Sequence, residues 1–553
     1  MMRLKARGWR MGFAVGMLAC GVATIHAQVA AAHQDPAAAQ GFRVAGTLVS
    51  ATTGQPVSGA SVALLTVDDG HIVASVETGD DGVFSLSRIP AAKYQLTASR
   101  RGYTTGFYNQ HWEFNSAIVT GPDQDTDHLV FRLWPAAVID GVITGDGGDP
   151  VEGADVMLFE KPHRHEPDEK IVQVGTTRTD DTGTYEFAGL EAGSYLIAVK
   201  ARPWYALSPI SGDNPAEESE AQAALDVAYP VTYYDSTTDE GSATAVTLAA
   251  GDREEADISL HAVQAVRIAI PVPQRPDGSL ARPILQATAF GNEVPLDDPE
   301  VMEPGKADDV MLLSGIAPGH YELTQGDPSR MVDLDATSSQ VVDPSAGVPT
   351  QTVSGTLQTA AGQTYKDRGT MVLVSPNGSG VQPSPSLIEN GTFKFVDVPE
   401  GAWLLEAMGQ EQQIPVLAIG PRGGRALAGN RITVDDKPLS LVVTVSASNT
   451  KLEGFARKDG KGVAGAMVIL VPKDLNAIAE LARRDQSDSD GSFALLNVAP
   501  GEYTLVAIAD FWGMDWFDPA VISRYLPQGM AVTVKDNSGK EEHLEQPVEV
   551  QAK

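Results

Sequence analysis

One pattern recurs five times along the 553 residues, and that repetition constrains the fold more than any other feature. Each copy is a turn, a short apolar strand, a second turn, then an aromatic residue alternating with Leu. The first reads Asp81-Gly82-Val83-Phe84-Ser85-Leu86 with Lys93-Tyr94-Gln95-Leu96. The second reads Thr182-Gly183-Thr184-Tyr185-Glu186-Phe187 with Gly193-Ser194-Tyr195-Leu196. A weaker third runs from Val310 to Leu313, followed by Gly319-His320-Tyr321-Glu322-Leu323. The fourth is Asn390-Gly391-Thr392-Phe393 with Gly401-Ala402-Trp403-Leu404-Leu405, and the fifth Asp490-Gly491-Ser492-Phe493 with Gly501-Glu502-Tyr503-Thr504-Leu505.

A second motif precedes three of the copies. Gly46-Thr47-Leu48 leads to Gly59-Ala60-Ser61-Val62, Gly141-Val142-Ile143 to Gly153-Ala154-Asp155-Val156, and Gly454-Phe455-Ala456 to Gly465-Ala466-Met467-Val468. Only its first half, Gly355-Thr356-Leu357, survives before the fourth copy, and before the third it has decayed. Period-two alternation such as Phe84/Leu86 and Tyr94/Leu96/Ala98 places one strand face on a core and the other in water. Asp-Gly and Asn-Gly supply the positive φ of tight turns. The aromatic of each second half is expected in the core, a Tyr hydroxyl bonding nearby backbone as in the tyrosine corner of other sandwiches. Trp403 is expected to fill that slot by volume alone.

Together these motifs resemble the carboxypeptidase regulatory-like domain, a small transthyretin-like or starch-binding-like β-sandwich of exported bacterial proteins. The resemblance is good in copies one, two and five, partial in four and poor in three. The run Tyr229–Leu260 resembles a segment that closes such domains. What the resemblance implies is an all-β fold with about five small antiparallel sandwiches, not an activity. Expected boundaries are 42–134, 135–262, 263–346, 350–447 and 450–549. Two short helices, Ala216–Ala228 and Leu475–Arg484, interrupt the β pattern.

Arg3, Lys5, Arg7 and Arg10 precede a short apolar stretch from Met11 to Ile25, which reads as a secretory signal peptide over 1–27, with a flexible leader over 28–41. The expected locale is secreted, periplasmic or cell-surface. Cys20, the one cysteine, sits in a loose lipoprotein box, but cleavage after Ala27 is the expected outcome. No later apolar run is long enough for a membrane span. The formal net charge of −32 becomes about −36 once the signal segment is removed, which argues against nucleic acid as a partner.

No His-Glu-x-x-His, Gly-x-Ser-x-Gly or phosphate-cradling Gly-rich loop occurs, and no cofactor or enzyme activity is expected. His163-Arg164-His165-Glu166 with Asp168 and Glu169 has metal-ligand chemistry but reads as a solvated hairpin loop. The acidic turns at Asp81, Asp180 and Asp490 lack calcium-loop spacing. The binding candidates are aromatic loops: Tyr108 and Trp112, Trp204 and Tyr205 with Tyr233 and Tyr234, then Trp512, Trp516 and Phe517. Flat rings beside Asn, Gln and Asp suit stacking on a sugar; the same residues also suit a loop that caps its own sandwich. The expected function is non-catalytic binding of carbohydrate or another cell-surface polymer. The alternatives are a spacer or adhesion module that contacts another exported protein, and an accessory subunit of an exported enzyme.

Overall fold

In each of five consecutive stretches, the opening strand has the same two neighbours. The computed structural model describes residues 41–162, 170–206, 224–271, 284–294, 300–302, 310–326, 329–343, 347–359, 362–375, 383–409, 413–424, 427–446, 450–535 and 541–553. The signal segment, the leader, the His163–Glu169 cluster and most of the expected Ala216–Ala228 helix lie outside the described residues. The opening strands are Phe42–Ser50, Ala137–Thr144, Val266–Pro271, Gln351–Thr359 and Thr450–Lys458. Each pairs antiparallel with the strand of the turn motif and parallel with the strand that closes its domain. A second sheet packs over the first in domains one to four; the first, second and fourth each enclose an apolar core of their own, and the core of the third is shared with the second. In the fifth domain Val548–Gln551 pairs with strands of both layers and stitches them into one nine-stranded sheet.

The register explains why Gly opens the motif. Gly46 faces Phe84, Gly141 faces Tyr185, Gly355 faces Phe393 and Gly454 faces Phe493. A methyl group at Gly454 would stand 2.7 Å from the Phe493 ring, and one at Gly355 2.6 Å from the Phe393 ring. The missing side chain is the space into which the ring packs. The third domain keeps the register with different sizes: Ile270 stands where Gly stood, opposite Met311 where the aromatic stood. Small-plus-large has become medium-plus-medium, so the motif vanishes from the sequence while the pairing survives.

Every copy also carries a β-bulge at one place. Arg88, Gly189, Gly315, Asp397 and Asn497 each have positive φ, one residue before the strand's last pairing. The extra residue bends the strand over the core, and its sequence signature is too weak to read.

The expected tyrosine corner forms in all four Tyr copies. Tyr94, Tyr195, Tyr321 and Tyr503 donate to the carbonyl four residues earlier, at 3.2, 3.0, 2.7 and 2.8 Å. Trp403 does more than fill volume: its indole N–H donates to the Pro399 carbonyl at 3.0 Å, reproducing the same bond. The acidic turns use their carboxylates on backbone, as Asp180 does for the N–H groups of Thr182 and Thr184. The expected Leu475–Arg484 helix is shorter, with α-helix only over Ile478–Leu481, because Arg483–Gln486 pairs as a strand.

Gly454→Ala is expected to destabilise the fifth domain by about 1–3 kcal/mol through overpacking against Phe493. Phe493→Leu in the same chain should return part of that loss, read by calorimetric unfolding. Simply additive losses would contradict the ring-into-glycine account.

Candidate binding cleft

The five sandwiches, within the compact unit Phe42–Lys553, fold back on one another. Domains two and three share a core in which Phe159 and Tyr233 pack edge-on against Phe290 at 5.2 and 5.1 Å. Lys170 of the second domain donates to the Ser375 carbonyl of the fourth. The longest-range joint binds the first domain to the fifth.

There, the Lys93 ammonium meets the Asp488 carboxylate at 2.5 Å, while Ala117 N–H donates to the other Asp488 oxygen at 2.8 Å. Ser116 donates to the Ser487 carbonyl, and the Gln486 amide donates to the Asn109 carbonyl. His111 stacks on Trp512, centroids 4.9 Å apart and planes 9° from parallel. Arg484 lies over both Trp516 and Phe114, at 4.5 and 5.0 Å, and pairs with Glu113 at 3.3 Å. Cation–π contacts of this kind strengthen as water is excluded.

This joint decides where the candidate aromatics lie. Trp512 and Trp516 are 6% and 4% exposed, and the Trp512 N–H is bound to the Gly465 carbonyl. Phe517 packs edge-on against Trp516. Tyr233 is buried against the third domain, and Tyr234 packs on the core of the second. Tyr108 leans edge-on against Phe131 of its own core. Trp204 is 89% exposed, with Tyr205 at right angles beside it.

Trp112 alone of the nine combines partial exposure with a concave setting. It lines a cleft of about 570 Å³ where the first, second and fifth domains meet. The first domain supplies Thr104–Trp112 without Tyr108, and Val130 and Arg132–Trp134; the second supplies Pro135, Glu191, Ala192 and Ala250; the fifth supplies Trp512 and Gly513. Gln110 fixes the loop, accepting from Phe107 N–H at 2.9 Å and donating to the Trp112 carbonyl at 2.7 Å. Trp134, 53% exposed, faces the cleft and was not among the sequence candidates. Its signal was the alternation of Leu129–Leu133, which buries Leu129, Phe131 and Leu133 and leaves Val130, Arg132 and then Trp134 outside.

Residues 43–132 and 138–208 match the model of the carboxypeptidase regulatory-like domain. Both are carboxypeptidase regulatory-like domains. The cleft therefore opens between two regulatory-like domains and a fifth sandwich of the same opening register. Among solved structures, the TIE protein of Bacillus anthracis is similar at 10% identity and a TM-score of 0.16, covering 88% of this chain and 68% of that one. GBS52, the minor pilin of Streptococcus agalactiae, is similar at 17% identity and a TM-score of 0.19, covering 42% of this chain and 98% of that one. The major pilin subunit BcpA of Bacillus cereus stands at 13% identity and a TM-score of 0.13, with 74% and 99% covered. No curated protein matches the chain. Among the described residues no helix is long and apolar enough to cross a membrane.

Beside the joint, Asp485 is partly buried among packed groups, and that desolvation pushes its carboxyl up to about 7; the charge of Asp488 adds to the rise, and the Ala494 and Gln486 N–H groups oppose it. The folded state thus holds this proton more tightly than the unfolded chain. Stability from this group is present below about pH 4 and is lost as pH rises towards 7, by at most about 1.4 kcal/mol per pH unit. Asp485→Asn is expected to flatten the pH dependence of the fifth domain's melting temperature between pH 5 and 8. An unchanged slope would contradict the assignment.

Proposed function

We propose that this chain is a non-catalytic, exported surface protein that binds a carbohydrate polymer in the cleft between its first, second and fifth domains. The observation that carries the reading is the cleft wall itself. Trp112, Trp134 and Phe107 line one concavity, and Thr104, Thr105 and Asn109 stand among them. Apolar faces with a few convergent polar groups are the usual construction of a ligand site. A pyranose ring has the matching surfaces, C–H groups on its face and hydroxyls on its rim. The basic and apolar N-terminal segment supports export. The lack of any catalytic constellation in the sequence supports a binding role.

A structural role is the second reading. It is favoured by Trp512 and Trp516, whose rings hold two domains together instead of facing solvent.

Titration of the mature protein with a panel of soluble polysaccharides, followed by intrinsic Trp fluorescence, tests the choice. A saturable change is expected with at least one polymer. Trp134→Ala should weaken that binding at least tenfold, and Trp204→Ala, outside the cleft, should leave it intact. No response across the panel would leave the structural reading standing.

A further inference from the structure

The charge along the chain is uneven in a way that maps onto the cleft. With 72 acidic residues in 553, about one position in eight carries a carboxylate. Yet no Asp or Glu occurs between Asp81 and Glu113, nor between Asp127 and Asp140. Those two gaps contain every residue that the first domain contributes to the cleft. They also hold Arg100, Arg101 and Arg132. The first domain's share of the cleft is thus drawn from two acid-free runs of an otherwise acidic chain.

Arg132 is the cation in the lining. It projects from the outer face of Leu129–Leu133, two residues before Trp134 and on the same side, and is solvent-exposed. It makes no ion pair among the described residues. The other charged side chain of the lining, Glu191, belongs to the second domain's wall. A guanidinium in this position is a fork with nothing to hold, set beside a ring face. Its planar donors match a carboxylate in two parallel hydrogen bonds.

We infer that the cleft selects an acidic glycan, one whose sugar rings carry a carboxylate, with Arg132 holding the carboxylate and Trp134 stacking on the ring. The inference rests on the carbohydrate reading above and adds the charge of the sugar.

Calorimetric titration of the mature protein with oligogalacturonate and alginate oligomers, each beside its carboxyl-reduced neutral counterpart, tests it. At least one acidic oligomer is expected to bind at least tenfold more tightly than its neutral form. Arg132→Gln should remove that difference while keeping the weaker neutral affinity, and Trp134→Ala should abolish both. Equal binding of acidic and neutral forms, unchanged in Arg132→Gln, would overturn the acidic assignment and leave the carbohydrate reading intact. Binding of neither form, with fluorescence titration also silent, would overturn both.

Discussion

A ring needs a place to lie, and in three of these five domains that place is the missing side chain of Gly141, Gly355 or Gly454 on the neighbouring strand. The Gly454–Phe493 pair and its equivalents set the register of the opening strand, and a one-residue slip would turn every core residue outward. The bulge at Asn497 and its counterparts then bends the partner strand over the core, and the tyrosine corner ties the next turn to it. Parallel pairing with the closing strand completes each sandwich. The third domain shows that volume at the crossing, not residue identity, is the constraint: Ile270 and Met311 occupy it jointly.

Sandwiches held this firmly can lend their loops to one another. The first and fifth domains meet through Lys93–Asp488, His111 on Trp512, and Arg484 over two rings. The hydrogen bonds in this joint join side chains both to one another and to backbone, which demands one arrangement of the two domains. Holding the first domain in place also sets Trp112 and Trp134 across from Gly513 and Ala250, so the cleft is a product of chain closure. No one domain contains it.

Much of this was legible in the residues. The repeat announced the number of sandwiches, and the tyrosine corner followed from the spacing of Tyr94, Tyr195 and Tyr503 from the turn before each. What sequence could not show was long-range packing. Trp512 and Trp112 sit in loops of similar composition, yet Trp512 is buried to 6% exposure beneath the first domain while Trp112 stays partly exposed in the cleft that both line. That difference depends on contacts between residues 370 or more positions apart, such as Ser116 with Ser487. Trp134 continues the outward face of the Leu129–Leu133 alternation, but that alternation marks it only as outside the core and not as part of a concave surface. The Trp403 N–H bond was missed because the slot was read by shape, although an indole carries a donor as a phenol does.

The account depends most on the joint between the first and fifth domains, since both the burial of Trp512 and the cleft follow from it. Cys20 is the one cysteine of the chain, so with Cys20→Ser, spin labels at Arg101→Cys and Asp515→Cys report on that joint without background. Pulsed electron–electron resonance should give one narrow distance distribution, which broadens and lengthens when Lys93→Ala and Arg484→Ala are combined. A broad distribution in the unaltered joint would mean that the domains are strung independently, and would contradict the cleft.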